Sequence, residues 1–246
     1  MPDLKKSKGW QYFQNTKFFR DKLLDIQPLR IGPGTEKEKK VKGKLFSLEC
    51  PKEDAFVSIL QKRRSVRNFT DQSLSFQEMS YLLFAAYGVT GRAGFYALKT
   101  SPSAGGLYPC QVYVQVNRVE KLSPGFYFFS PEHNSLTLYK KGDFSESMAS
   151  CCLGQSFVQM AAVNIIISAI FRQNMIKYGH RGLRYILLDA GHMMQNVLLA
   201  SANLNLGSCP VGAFFDDELN ELMELDGQEE SVVYLCSVGK LAPMET

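Results

Sequence analysis

The residues best suited to binding an anion are three arginines and a serine that lie within five positions of one another. They are Arg63, Arg64, Arg67 and Ser65, in the stretch K-R-R-S-V-R-N-F-T at 62–70. Guanidinium groups offer forked, charge-assisted donors that match a phosphate group. On charge alone a solvated basic turn is the more ordinary interpretation, so a phosphate site needs support from the rest of the chain.

Four further stretches have the composition of site loops, with glycine or proline beside polar residues. They are P-S-A-G-G-L-Y-P at 102–109, Lys-Tyr-Gly at 177–179, C-P-V-G-A-F at 209–214 and Gly-Lys at 239–240. The stretch 89–109 as a whole is long, polar and without clear periodicity. Segments of this kind in compact domains are often binding loops.

Several well-known catalytic and binding motifs are missing from the sequence. The absence of G-x-G-x-x-G and of G-x-x-x-x-G-K-S/T removes the usual support for Rossmann and P-loop nucleotide binding. No H-E-x-x-H is present and the histidines are widely spaced, so no metal site is expected. The absence of G-x-S-x-G weakens an α/β-hydrolase interpretation.

Helical patterns surround the arginine stretch. Residues 53–62 place Phe56, Ile59 and Leu60 on one face, which predicts a helix that ends just before the arginines. Ser75 and Glu78 form a capping-box pattern that opens a second helix, and Gly88 can end it. The arginine stretch is therefore expected between two helices.

The rest of the chain mixes strands and helices without regular alternation, which predicts one α+β domain with a layered sheet. We expect strands at 111–116, 125–129, 135–139, 163–170 and 231–238, helices at 144–160 and 183–204, and loops at 171–182 and 207–215. The second and third strands form a hairpin. On the long helix, Asp189, His192 and Asn196 share a face, which suits a buried hydrogen-bond network or a dimer contact.

The first forty-four residues are expected to form a peripheral segment, and residues 45–246 the main domain. Aromatic residues around Trp10 suggest a short helix that docks on the body, and the charge run at 35–44 suggests a solvated loop. A net charge of +4 is too mild for a nucleic-acid binder. With no apolar signal core and no bilayer-length apolar run, we expect a cytoplasmic protein without a membrane span. Its six cysteines are expected as free thiols.

Taken in order, the motifs R-R-S-x-R-x-F, P-S-A-G-G-L-Y-P, K-Y-G-x-R-G, D-A-G-H-x-x-Q-N and C-P-V-G-A-F resemble the FMN-dependent nitroreductase superfamily. More narrowly, they resemble its SagB-type, or azoline oxidase, branch, and the resemblance extends over residues 54–241. It implies a nitroreductase-like layered fold, with a mainly antiparallel central sheet flanked by helices. It also implies a homodimer with two flavins at the interface.

The resemblance assigns the arginine stretch to FMN. Arg63 and Ser65 would hold the phosphate and ribityl chain with Arg64 beside them, while Arg67 either joins them or pairs with an acid. Lys240 either reaches the same phosphate or is solvated.

The same resemblance assigns the flavin ring to two loops. Ser103, Ala104 and Gly105 would lie against the isoalloxazine, often across the subunit boundary, because small residues let a flat ring approach the backbone closely. The 209–214 loop would lie at the reactive side, and its residues in question are Pro210, Val211, Gly212 and Ala213. The N–H groups of the last three would tune the flavin.

Gly212 and Gln155 leave alternatives open. The best-known nitroreductases carry an acidic residue at the position of Gly212. The glycine in this chain agrees better with the SagB-type branch. Gln155 either lines the flavin pocket or packs between helices.

Lys177 and Tyr178 match the Lys-Tyr pair of the azoline oxidases. The implied chemistry is removal of a Cα proton with hydride transfer to flavin N5, which turns a thiazoline or oxazoline into an aromatic azole. The alternative is that both are ordinary exposed loop residues.

Three functions remain open. The first is a SagB-type dehydrogenase, whose partners would be a cyclodehydratase and a precursor peptide. The second is a stand-alone NAD(P)H-dependent nitro or quinone reductase. The third is a flavin-binding docking subunit without turnover.

Overall fold

The computed structural model describes residues 6–25, 42–43 and 45–242. Its helices are α1 (Lys8–Asn15), α2 (Ala55–Lys62), α3 (Phe76–Tyr87), α4 (Ser145–Cys151), α5 (Ser156–Met160), α6 (Phe171–Tyr178), α7 (Gly182–Asn203) and α8 (Asp216–Leu222). Its strands are β1 (Val89–Ala93), β2 (Tyr96–Lys99), β3 (Cys110–Val116), β4 (Gly125–Ser130), β5 (Ser135–Lys141), β6 (Val163–Ile170), β7 (Leu206–Val211) and β8 (Glu230–Lys240). Within these ranges, no helix is both long and apolar enough to cross a bilayer.

A six-stranded sheet forms the centre of the fold, in the order β5-β4-β3-β6-β8-β7. Every neighbouring pair in it is antiparallel. Strand β6 is buried along all but its last residue, because its run of valine and isoleucine is covered on both faces. The predicted α+β fold with an antiparallel sheet, the central strand and the β4–β5 hairpin are confirmed.

The two faces of β6 contribute to two separate cores. Ile165 packs in the core that α3 and α7 cover, together with Met79 and Met193. Its neighbour Ile166 points to the opposite face, where it packs with Phe126 and Leu219. Burying each of these side chains stabilises the fold by about 1.5–3 kcal/mol, so the sheet is held in place from both sides.

The predicted capping box opens α3. The Glu78 N–H donates to Ser75 Oγ at 3.1 Å, and the Ser75 N–H donates to Glu78 Oε2 at 2.8 Å. Gly88 ends the helix as expected, but with φ −61° and not in the left-handed conformation. The backbone conformation at this helix end is therefore one that residues other than glycine also adopt.

The N-terminal aromatic residues dock on the body as predicted. Trp10 and Phe13 of α1 are buried, and their ring centroids lie 5.4 and 4.9 Å from that of Phe171, the first residue of α6. Apart from residues 42–43, the charge run at 35–44 lies outside the described residues. The division of the chain at residue 44 stays a prediction.

Two predicted loops contain regular structure. Residues 171–178 form α6, because Phe171 and Met175 bury one face; polar neighbours and a buried Asn174 masked that pattern in the sequence. Residues 206–211 form β7, an edge strand, where Pro210 removes no interior ladder bond.

Two other predictions were too simple. Residues 144–160 are two helices and not one, separated where Leu153 and Gly154 adopt φ of +57° and +71°. The segment 89–109, predicted without regular structure, begins with the β1–β2 hairpin.

Candidate functional site

The arginine stretch runs beside the edge of the central sheet. The Val66 N–H donates to the Ser208 carbonyl at 2.9 Å, and the Thr70 N–H donates to the Lys240 carbonyl at 3.0 Å. Between these bonds Phe69 is buried against Gly239, where a β-carbon would come within 2.9 Å of the Phe69 ring. The backbone that carries the arginines is therefore fixed to β7 and to the end of β8.

Arg63 is a half-buried cation without a described partner. Its guanidinium has no hydrogen bond or ion pair with any residue that the structure describes, and it lines a cavity of about 220 Å³ with Lys62 and Arg64. The other walls of this cavity include Ser208 of β7 and the C-terminal part of α7. An unpaired cation on such a wall suits an anionic ligand.

The other residues of the stretch are placed differently. One arm of Arg64 finishes α2, because its Nη1 donates to the carbonyls of Gln61 and Arg63 at 2.8 Å each. Ser65 is exposed, and its backbone forms an isolated parallel β-bridge with Ser208.

Arg67 forms no ion pair with any described residue, which leaves its acid-pair alternative without support, and its place beside the FMN phosphate stays a prediction. Its guanidinium carbon lies 5.8 Å from the centroid of the Phe157 ring. Burial raises the pKa of the nearby Cys209 thiol, and the charge of Arg67 opposes that rise.

Lys240 has an acid partner that the sequence did not reveal. Its Nζ lies 2.6 Å from Glu78 Oε1. Burial works to raise the pKa of Glu78, but hydrogen bonds from Lys240 and Ser75 outweigh it and hold that pKa below its usual value. A phosphate role for Lys240 stays a prediction and would require it to share or leave Glu78.

The glycine loop after β2 is anchored on α7. Ser103 Oγ donates to Asp189 Oδ2 at 2.5 Å, and the Ala104 N–H donates to Oδ1 at 3.3 Å. Burial raises the pKa of Asp189, and these two hydrogen bonds oppose the rise. About two turns further along α7, Asn196 Nδ2 donates to Ser101 Oγ at 3.0 Å. The hydrogen-bonding alternative is confirmed for Asp189 and Asn196, whereas His192 is exposed, and a dimer contact of this helix face stays a prediction.

Lys177 and Tyr178 lie directly against this loop. Gly105 has φ +64°, and a β-carbon there would come within 2.4 Å of the Tyr178 hydroxyl and 2.8 Å of Lys177 Nζ. The structure therefore brings together, within one chain, the residues predicted to be catalytic and the loop predicted to lie against the flavin. Lys177 is exposed and Tyr178 is half-buried.

Gln173 is a positioning residue that the sequence reasoning missed. Its Nε2 donates to the Leu107 carbonyl at 2.6 Å and to the Tyr108 carbonyl at 3.3 Å, which ties α6 to the glycine loop. A helix prediction for 171–178 would have found it, because Gln173 precedes Lys177 by one helical turn.

The C-P-V-G-A-F stretch divides into strand and loop. Pro210 and Val211 belong to β7, a correction to the predicted loop, while Gly212 and Ala213 follow it. Gln155 Nε2 donates to the Ala213 carbonyl at 3.2 Å and to the Cys152 carbonyl at 2.8 Å. Gln155 therefore fastens this loop to the α4–α5 corner, and its contact with a flavin stays a prediction.

Residues 60–240 match the profile described as the nitroreductase family. A protein of Methanocaldococcus jannaschii is 39% identical over 182 residues, which are 74% of this chain and 89% of that protein. A solved structure from Anabaena variabilis is 29% identical with a TM-score of 0.66, over 76% of this chain and 38% of that one. Both proteins carry the name "putative nitroreductase".

A chain in the E. coli microcin synthetase McbBCD complex, solved with truncated pro-MccB17 bound, superposes with a TM-score of 0.73. The match covers 95% of this chain and 91% of that one, at 19% identity. At that identity the likeness shows a shared fold alone.

Proposed function

Because this chain belongs to the nitroreductase family, we propose that it is an FMN-dependent oxidoreductase of the SagB type that oxidises an azoline in a modified peptide. The family carries the coarser part of this statement, a flavin-dependent oxidoreductase with FMN as its cofactor. The azoline as substrate is the finer part, and the residues around Gly105 support it.

The contact between Gly105 and the Lys177–Tyr178 pair carries the proposal. Lys177 Nζ and the Tyr178 hydroxyl both reach the glycine that the sequence assigns to the flavin ring. A proton acceptor beside a hydride acceptor is the arrangement that azoline oxidation requires. The nitro- and quinone-reductase alternative gives this pair no comparable task.

The residues present fit FMN at the phosphate end as well. Arg63 offers an unpaired guanidinium on the wall of a cavity next to a sheet edge, which suits the phosphate group of FMN. When bound, FMN would accept a hydride at N5 while the azoline becomes an aromatic azole.

The chain's own residues would handle the proton. Lys177 Nζ, at the last turn of α6, would take the proton from the azoline Cα when it is a neutral amine, and would become an ammonium. The Tyr178 hydroxyl would hold the azoline ring by a hydrogen bond. The aromatic ring of Tyr178 is itself positioned by edge-on packing against Tyr185, with the ring centroids 4.9 Å apart. Gln173 would keep both at a constant distance from the glycine loop.

Partners are part of the proposal. The SagB-type assignment implies assembly with a cyclodehydratase and a precursor peptide, and the similar fold in the McbBCD complex was solved with truncated pro-MccB17 bound. A homodimer is supported by the apolar side chains that α2 and α3 leave exposed, among them Phe56, Leu60 and Phe84.

The test supplies FMN-loaded protein with a thiazoline peptide and follows the loss of two hydrogen atoms by mass spectrometry. A parallel assay offers NADH or NADPH with nitro and quinone acceptors. Azole formation that Lys177→Ala abolishes supports the proposal. Turnover in the second assay alone would assign the chain to the nitro or quinone reductases. Bound FMN with no turnover in either assay would assign the chain a docking role.

A further inference from the structure

A groove of about 650 Å³ separates α1 from the N-terminal half of α7. The 3₁₀ turn that joins α6 to α7 closes one end of it. Helix α1 is held firmly as one wall, because a β-carbon at Gly9 would come within 2.6 Å of the His180 carbonyl oxygen. The groove is therefore a formed feature and not a gap beside a loosely attached helix.

The charge in this groove is of one sign. Lys8, Arg181 and Arg184 line it, and no carboxylate does. Over the described ranges 6–25, 42–43 and 45–242, none of these three side chains forms an ion pair. Such a concentration of unpaired cations attracts carboxylates.

The groove also offers apolar surface between these cations. Tyr12, Leu187 and Leu188 expose 60%, 40% and 54% of their surface. Exposed aliphatic and aromatic groups gain free energy when a partner covers them. An occupant that carries both carboxylates and aliphatic side chains would therefore satisfy both features.

Side-chain contacts link the groove to the reactive pair. Tyr178 packs edge-on against Tyr185, with ring centroids 4.9 Å apart. Tyr185 in turn accepts a hydrogen bond of 3.0 Å from Arg181 Nε, and Arg181 lines the groove. A chain that extends from a substrate at Lys177 can thus reach the groove along one surface.

We propose that this groove binds an acidic, aliphatic segment of the same peptide that carries the azoline. The statement rests on the proposed function and adds to it a sequence preference for the substrate. A second copy of the protein is a poorer occupant, because a two-fold interface between two such grooves would gather both sets of cations with no carboxylate from either groove to pair with them.

The test measures binding of short fluorescein-labelled peptides to the FMN-loaded full chain by fluorescence anisotropy. One peptide combines glutamate with leucine, and its control combines lysine with leucine. We expect the acidic peptide to bind, and Arg184→Glu to weaken it by about tenfold or more. Lys141→Glu, the same charge reversal at an exposed site on β5, is expected to leave its affinity unchanged. If Arg184→Glu does not fold, Arg184→Gln carries the same prediction with a smaller loss.

Equal affinity for the two peptides, or equal losses from the two charge reversals, would overturn the proposal. So would an Arg184→Glu variant that turns from dimer to monomer in analytical ultracentrifugation while neither peptide binds the parent protein. Because the assay contains no azoline, its result is separate from that of the turnover assay. Azoline oxidation without peptide binding would contradict the groove proposal and support the proposed function. Peptide binding without azoline oxidation would support the groove as a peptide site and contradict the proposed function.

Discussion

Asp189 accepts a hydrogen bond of 2.5 Å from the hydroxyl of Ser103, so the longest helix and the glycine loop are joined at one carboxylate. The second oxygen of Asp189 accepts the N–H of Ala104. Asp189 is buried and its two donors are half-buried, so removal of its carboxylate would leave both donors without their protein partner.

Asp189→Ala is therefore expected to lower the free energy of unfolding by about 1–3 kcal/mol. Asp189→Asn keeps an acceptor for Ala104 and should cost less. Denaturant unfolding of the two variants measures the difference. An alanine variant as stable as the parent would mean that the loop holds its position without this bond.

Gly105→Ala should disturb the candidate site more than Gly106→Ala. Both glycines have positive φ, +64° and +67°, so each substitution stores backbone strain of about 1–3 kcal/mol. Only at position 105 does a β-carbon meet other atoms, those of Tyr178 and Lys177; at 106 nothing lies within 4 Å. FMN titration of the two variants separates contact from strain, and equal losses would argue against the contact.

Arg63→Ala should weaken FMN binding by about 1.5–3 kcal/mol, the size of a lost charge-assisted hydrogen bond. Arg64→Ala should weaken it less, because one arm of Arg64 already caps α2. Arg92→Ala, whose side chain pairs with Glu132 on the surface, is the control. Flavin fluorescence titration measures all three, and an Arg63→Ala variant with unchanged affinity would remove Arg63 from the phosphate site.

Lys177→Ala should bind FMN normally and lose azoline oxidation. Tyr178→Phe should retain part of it, because its ring keeps the packing against Tyr185 and loses the hydroxyl alone. The measurement is azole formation at saturating peptide beside the flavin absorption spectrum. Full turnover by Lys177→Ala would leave the lysine without a catalytic role.

Asp216 predicts a pH dependence of stability. Burial raises the pKa of its carboxyl to about 6 from an ordinary 3.8, although the Phe18 N–H donates to it. Between these values the folded chain keeps a proton that the unfolded chain releases, so this group's contribution to the free energy of unfolding falls as pH rises. Asp216→Asn should flatten that slope in denaturant titrations from about pH 4 to 6, and a slope unchanged by the substitution would assign it to other groups.

Sequence patterns correctly predicted the elements whose structure depends on interactions between residues close together in the chain. The Ser75–Glu78 capping box and the buried β6 follow from residues close together in the chain. Helix α6 was missed because its stability comes from Trp10 and Phe13 packing on Phe171, which are far away in sequence.

The candidate site shows the same division. Motif order pointed to Arg63, Gly105 and Lys177, but not to the contacts between them. Gly105 meets Lys177 only because α6 folds back on the loop, and Lys240 meets Glu78 across 162 positions of the chain. Pairings over such separations depend on the packing of the whole sheet, which composition and periodicity do not encode.

The backbone that carries the arginines has a second consequence, for aggregation. Strand β7 ends the sheet, and an uncovered edge strand is a template for pairing with other chains. The Val66–Ser208 hydrogen bond covers part of that edge, and Pro210 removes a donor from the remainder. Substitutions that detach residues 65–70 would therefore do more than weaken an anion site, because they would open the sheet to intermolecular strand pairing.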